Sequence, residues 1–256
     1  SAVGGHELVH RTSRPVQLWI GRISLCLNWG IAFPLEHVYG HHSYVGTPKD
    51  PATAARGDSV YQHIPKSMYR TIINAFEIET SRLNKIGSHF FSYKNTLFKM
   101  SLIALATTLF AYYCAGWMGV LFHLSFCIIL KAGLEVLNYV EHYGLIKVPG
   151  QPVQPRHSWN CNHTISSLLT FNLTRHSHHH ANAQIHYQDL KPHKDQPEMP
   201  GGLISAFFSS LIPPLWRYKI TPKLIEWDKQ QAAQEERELI RAANEKSHWR
   251  ELLVES

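Results

Sequence analysis

The sequence predicts an all-α chain: an integral-membrane helix bundle with histidine-bearing helices at its cytoplasmic side. Two apolar stretches that almost touch, and 18 histidines drawn into short clusters at helical spacing, carry that expectation. Residues 97–117 read LFKMSLIALATTLFAYYCAGW, with Lys99 as their one charge, and residues 118–139 read MGVLFHLSFCIILKAGLEVLNY. About 20 residues at 1.5 Å rise cross the roughly 30 Å hydrocarbon core. Only the Ala115-Gly116-Trp117 region separates the two stretches, so a tight helical hairpin is expected over about 97–139.

Lys131 and Glu135 interrupt the second stretch four residues apart. A mid-bilayer charge costs about 2.5–3.5 kcal/mol on insertion scales, so both are expected to face protein and not lipid. Lys and Arg flank the hairpin on both sides, which by the positive-inside tendency places both of its ends in the cytoplasm. A shorter apolar stretch, 17–33, lies between Pro15 and Pro34 and holds Arg22 and Asn28; it suits an interfacial or partly buried helix. Residues 44–96 read as a polar, mixed cytoplasmic segment. Residues 1–221 are expected to form one membrane domain and 222–256 a charged, solvated helical tail.

With His neutral the net charge is +6. A basic balance can serve nucleic acid, anionic lipid or an acidic protein. No compact Lys/Arg block interleaved with aromatics is present, so nucleic acid is the weakest of these. Cys26, Cys114, Cys127 and Cys161 form no CxxC pair and read as small buried hydrophobes. No secretory signal opens the chain. It starts at Ser1 with little room for a helix before His6, so an N-terminal portion is expected to precede it.

Three histidine clusters set the chemistry. His6 and His10 form an HxxxH pair; His37, His41 and His42 form HxxxHH; His176, His179 and His180 form HxxHH, with His178 between them. Residues i and i+4 share a helix face, so each HxxxH pair can hold one metal. In HxxHH, i and i+3 share a face and the adjacent histidine is free to reach a second metal. Two clusters precede the hairpin and one follows it, so an even number of crossings returns all three to one side. Imidazole ligands alone suit iron, zinc, copper or nickel. The missing cysteine ligands argue against a structural zinc finger.

These boxes resemble those of the histidine-rich di-iron membrane hydroxylase/desaturase superfamily. HELVHR at 6–11, LEHVYGHH at 35–42 with the TPKDPATAARGDSVY that follows, and PRHSWNCNHTISSLLTFNLTRHSHHHANA at 155–183 look like the three boxes of its alkane and xylene monooxygenases. NYVEHYGL at 138–145 resembles the extra histidine motif of the alkane 1-monooxygenase (alkane hydroxylase) family. The likeness runs to the IPPLWR stretch at 212–217. It implies a six-helix membrane protein, of which this chain would be the C-terminal part, lacking about the first four helices.

The resemblance implies two irons held by His6, His10, His37, His41, His42, His142, His176, His179 and His180, with O2 as co-substrate. It implies terminal hydroxylation of a linear alkane, electrons from rubredoxin with its rubredoxin reductase, and a bacterial inner membrane with the site on the cytoplasmic side. His178 stands where the family has Asp, and is left outside the ligand set. Glu7, Glu36 and Glu141 flank ligands; Asp50, Arg56, Arg156, His157, Asn160, Asn162 and His163 are further polar candidates near the boxes. Xylene-type methyl hydroxylation and fatty-acyl hydroxylation or desaturation are the nearest alternatives. A non-catalytic membrane metal-binding protein or transporter is the alternative from another class.

Overall fold

The computed structural model describes residues 2–192 and 196–253. Among them the fold is all-α, without a named strand; one isolated bridge joins Asn160 and Glu198. The chain divides into two compact units. One holds the residues through His41 together with Met68–Leu134; the other holds His42–Ser67 and the residues from Glu135 onward.

In the first unit, α1 (Ala2–Val9) packs against α2 (Pro15–Cys26). A helix therefore does fit ahead of His6, contrary to the expectation from the position of Ser1. The contact is close: a Cβ on Gly21 would stand 2.8 Å from Leu8 Cβ and 3.0 Å from the Gly5 carbonyl. Pro15 starts α2 where a missing N–H costs nothing. The helix ends at Cys26, well short of Phe33, and Trp29 turns the chain with φ of 55°. Val16, Ile20, Ile23 and Leu27 form one exposed apolar stripe at helical spacing, as an interfacial helix requires. Arg22 is buried and lies over the Trp19 ring at 5.1 Å.

α3 (Phe33–Leu35) leads into a π-helical turn, Glu36–His41, and α4 (His42–Tyr44) begins the second unit. α5 (Val60–Lys85) is 26 residues long and replaces the mixed segment expected there.

α6 (Thr96–His142) is two arms broken at Ala115 and Gly116, whose backbone is not helical. On a straight helix, residues eight apart lie about 12 Å apart. A Cβ on Gly119 would instead collide with the Ala111 carbonyl and stand 3.1 Å from Ala115 Cβ. The chain therefore reverses, as the turn signal predicts, and Gly116 supplies the positive φ of 58°. The tip is pinned by an edge-to-face contact between Tyr112 and Trp117 at 5.2 Å. Leu105, Leu109, Phe110, Tyr113, Leu121 and Phe122 are exposed along the arms, a surface that water does not favour and lipid does. Cys114 is exposed here too, unlike Cys26, Cys127 and Cys161.

In the second unit the last turn of α6 runs into Gly144, whose φ is 68°. A Cβ there would meet Leu224 Cδ2 at 2.9 Å and Arg56 Cγ at 3.0 Å, and the Gly144 N–H donates to the Ala54 carbonyl. The glycine of NYVEHYGL is thus a helix stop that nothing larger could replace. Buried Tyr139, Tyr143, Trp159, Trp216 and Trp227 dominate the core of this unit.

α7 (Thr164–Leu169), α8 (His176–Ala181), α9 (Gly202–Ser210), α10 (Pro213–Gln230), α11 (Arg237–Ser247) and α12 (Arg250–Leu253) complete the unit. The segment from 222 is helical as expected, but more than a solvated face. Leu224, Trp227, Ile240 and Leu252 are in the core cluster.

Candidate metal centre

Each unit gathers its own histidine set. In the first, α1 presents His6 and the turn directly after it presents His10, with ring centroids at 5.2 Å. The Nε2 of His37 comes within 2.7 Å of His6 Nε2 and 3.1 Å of His10 Nε2. The ligand nitrogens of these three residues lie within 4.8 Å of one another. His41 stacks beside His37 at 5.2 Å. All four are buried.

The backbone under His37 and His41 is π-helical, not α-helical as HxxxH spacing suggests. Such turns are rare and frequent at functional sites, because they set side chains at angles an α-turn cannot. Gly40 lies against Glu36 here: a Cβ there would stand 2.8 Å from Glu36 Oε1, so that side chain would have to shift.

In the second unit His142, His176 and His180 converge. His142 and His176 approach Nε2 to Nε2 at 3.0 Å, His176 and His180 at 3.1 Å, and all three lie within 4.8 Å of one another. His42 stacks on His180 at 4.3 Å and meets His179 edge to face at 4.8 Å. The pairing inside HxxHH therefore differs from the expected one. His176 pairs with His180, the i+4 residue, and His179 is the member that stands apart toward His42. On α8 the i+4 ring lies most nearly above its partner, which decides the matter. The two sets meet in the sequence at the His41–His42 peptide bond.

Packing imidazole nitrogens at 2.7–3.1 Å in a buried place disfavours protonation. Burial is the main cause that lowers the pKa of His6 to about 4; His41 adds to it and Glu7 opposes it. Neutral imidazoles with converging lone pairs are the form that binds a transition metal. The donor set thus fits a metal in each unit.

The flanking polar residues sort differently. Glu141 Oε2 lies 3.5 Å from His176 Nε2. Glu7 holds Arg11 at 2.9 Å. Asp50 accepts from the Thr53 hydroxyl and the Ala52 N–H. Arg56 donates to the Gly144 carbonyl, to both carboxylate oxygens of Asp228 and to Asn244. Arg156 and His157 both hold Glu236, and Asn162 donates to Glu198. These contacts fasten the C-terminal helices and the loop after 190. His163 rests beside Gly202.

His178 is half-buried, and its Nδ1 accepts the Lys191 N–H at 2.9 Å. That is a loop contact, and an Asp at this position could accept the same hydrogen.

Glu135, buried on α6, accepts from the Ser67 hydroxyl at 2.6 Å and from Asn138, with His63 Nε2 at 4.0 Å. Phe33 was not singled out from the sequence, yet its ring stacks on His37 at 4.5 Å and 11°. Its place four residues before a box histidine was the one available signal.

Residues 1–208 match the fatty acid desaturase family. The chain is 39% identical over 227 residues to alkane 1-monooxygenase 1 of Pseudomonas aeruginosa, which covers 87% of this chain and 59% of that protein. It is 37% identical over 226 residues to alkane 1-monooxygenase 2 of Alcanivorax borkumensis, covering 86% and 59%. It is 34% identical over 249 residues to the xylene/toluene monooxygenase hydroxylase component of Pseudomonas putida, covering 95% and 66%. The chain thus spans about three fifths of the length of the alkane relatives it matches. With the family match running from the first box through the third, the chain belongs to the fatty acid desaturase family.

Proposed function

We propose that this protein is a membrane alkane 1-monooxygenase, in which a linear alkane, O2, two electrons and two protons give a 1-alkanol and water. The observation that carries the reading is the pair of imidazole sets, buried except for the half-buried His42: His6, His10, His37 and His41 in one unit and His42, His142, His176, His179 and His180 in the other. In this reading the nine residues hold two irons.

The irons, when bound, supply the oxygen chemistry that an unactivated C–H bond needs and that side-chain acids and bases lack. The protein's own residues prepare the site for them. Burial keeps His6 neutral and its lone pair available. The π-turn aims His37 at α1, and Glu141 places negative charge beside His176, where a cationic centre would require it. The exposed apolar hairpin suits a bacterial inner membrane, with the histidines at its cytoplasmic side. Electrons come from rubredoxin and its reductase, and the basic net charge favours docking of an acidic partner.

The test is expression in bacterial membranes with rubredoxin and rubredoxin reductase, followed by metal analysis and product analysis on octane. Two irons per chain with 1-octanol support the reading; zinc, or no metal, overturns it. Methyl hydroxylation of an arene is the second reading, favoured by the longer match, 95% of this chain, to the xylene/toluene component. Benzylic alcohol from xylene with no octanol from octane would establish it instead.

A further inference from the structure

The ring of Phe33 stacks on His37, and lies 5.8 Å from that of His6. The same residue, 8% exposed, lines a cavity of about 500 Å³ in the first unit. Ile72, Ala75, Leu97, Leu124, Cys127 and Ile128 supply much of the rest of its wall, from α5 and from both arms of the hairpin. That volume is in the range of small-molecule sites, roughly 300–1,000 Å³. Asn28, Thr71, Ser101 and Lys131 also line it, but most of the wall is aliphatic or aromatic, which repels water and admits an apolar guest. Phe33 is thus the residue common to an apolar cavity and a histidine set.

We propose that Phe33 is a specificity-determining residue: the plate against which the terminal methyl of a hydrocarbon chain held in this cavity stops, beside His37 and His6. The proposal rests on the monooxygenase reading above for the reaction, and on the cavity alone for the binding. The occupant is a hydrocarbon whose reacting end carries no headgroup, because Phe33, the part of the wall that meets the histidines, is aromatic. A chain stopped at the ring presents its first carbon. Removing the ring lets the chain advance, and the second carbon takes the first one's place.

Two measurements test this on the protein in its membrane. The first needs no metal chemistry. In a Cys114→Ser background, which removes the exposed thiol, modification of Cys127 by N-ethylmaleimide is followed with and without alkane. Octane is expected to slow Cys127 labelling at least severalfold, and decane more, since each methylene buried strengthens binding by up to about fourfold. Ile72→Trp, at a half-open wall position, is expected to abolish the difference. The second measurement is the product ratio. Phe33→Ala is expected to raise 2-octanol relative to 1-octanol by tenfold or more at unchanged iron content; Phe33→Leu, which keeps more of the core volume, gives an intermediate ratio and stands in should the alanine variant not fold. Unprotected Cys127 overturns the cavity assignment, as does stronger protection by octanoate than by octane. Unchanged regiochemistry in both Phe33 variants overturns the plate. Protection by octane in a protein that oxidises no hydrocarbon upholds the cavity and removes the monooxygenase reading.

Discussion

His142 Nε2 and His176 Nε2 lie 3.0 Å apart, although 34 residues separate them and one belongs to the end of a membrane arm while the other opens α8. Their meeting joins the NYVEHYGL motif to the third box. His142→Ala is therefore expected to lower iron content from two per chain to about one or less, measured by metal analysis on protein purified from membranes. An unchanged iron content would place His142 outside the ligand set.

His178 gives the opposite expectation. Its Nδ1 accepts a backbone N–H from Lys191, so His178→Asp should keep both irons and the loop. His178→Leu removes the acceptor and is expected to speed proteolysis between 182 and 192, with iron retained. Loss of iron in the Asp variant would make His178 more than a loop contact.

Arg56 is buried and grips Asp228 through two hydrogen bonds of 2.7 and 2.6 Å, with Gly144 and Asn244 as further acceptors. Removing one partner of a fully buried pair costs roughly 3–5 kcal/mol, and Asp228 keeps some exposure that lowers this. Arg56→Met is expected to destabilise the second unit by less than that amount, read from denaturant unfolding. Arg56→Lys recovers part of the loss, since one ammonium cannot match a bidentate fork.

Glu236 sets an acid limit. Burial works against its ionisation, but hydrogen bonds from His157, Arg156 and the Ala233 N–H outweigh this and hold its pKa at about 2. The Gln154 N–H donates to His157 Nδ1, so the Nε2 proton faces Glu236 and the imidazole is neutral, in keeping with a pKa that burial lowers. A carboxylate with a depressed pKa stabilises the fold fully above its ordinary value of 4.5 and loses that contribution as pH falls toward 2. Emission from Trp227 and Trp249 should report release of the C-terminal helices in that window, and Glu236→Gln should flatten the dependence.

Gly119 tests the hairpin. Even one methyl there would strike the Ala111 carbonyl, so Gly119→Val is expected to splay the arms and lower the membrane-inserted yield severalfold. Gly133, with nothing within 4 Å of its ideal Cβ, should accept alanine without loss.

Much of this was readable in the residues. Local physics governs the hairpin: two apolar runs and a glycine allow only a reversal. It governs the clustering of histidines as well, since helical spacing alone puts His6 beside His10. The motif glycine at 144 is likewise a local demand, for a positive φ at a helix end.

Other features depended on partners distant in the chain. HxxxHH reads the same for an α-turn and a π-turn, and the backbone over Glu36–His41 is the latter. The charged segment after 222 has an amphipathic spacing that water or a core could satisfy. Trp227, Ile240 and Leu252 found a core, and Glu236 found His157 79 residues earlier. Phe33 shows the division most clearly. By itself the sequence determined that this is a membrane-hairpin chain with imidazole clusters, because periodicity and composition act between near neighbours. Only the tertiary structure decided which histidines meet and that Phe33 joins them to an apolar cavity, because those contacts form between segments whose separation along the chain carries no local signal.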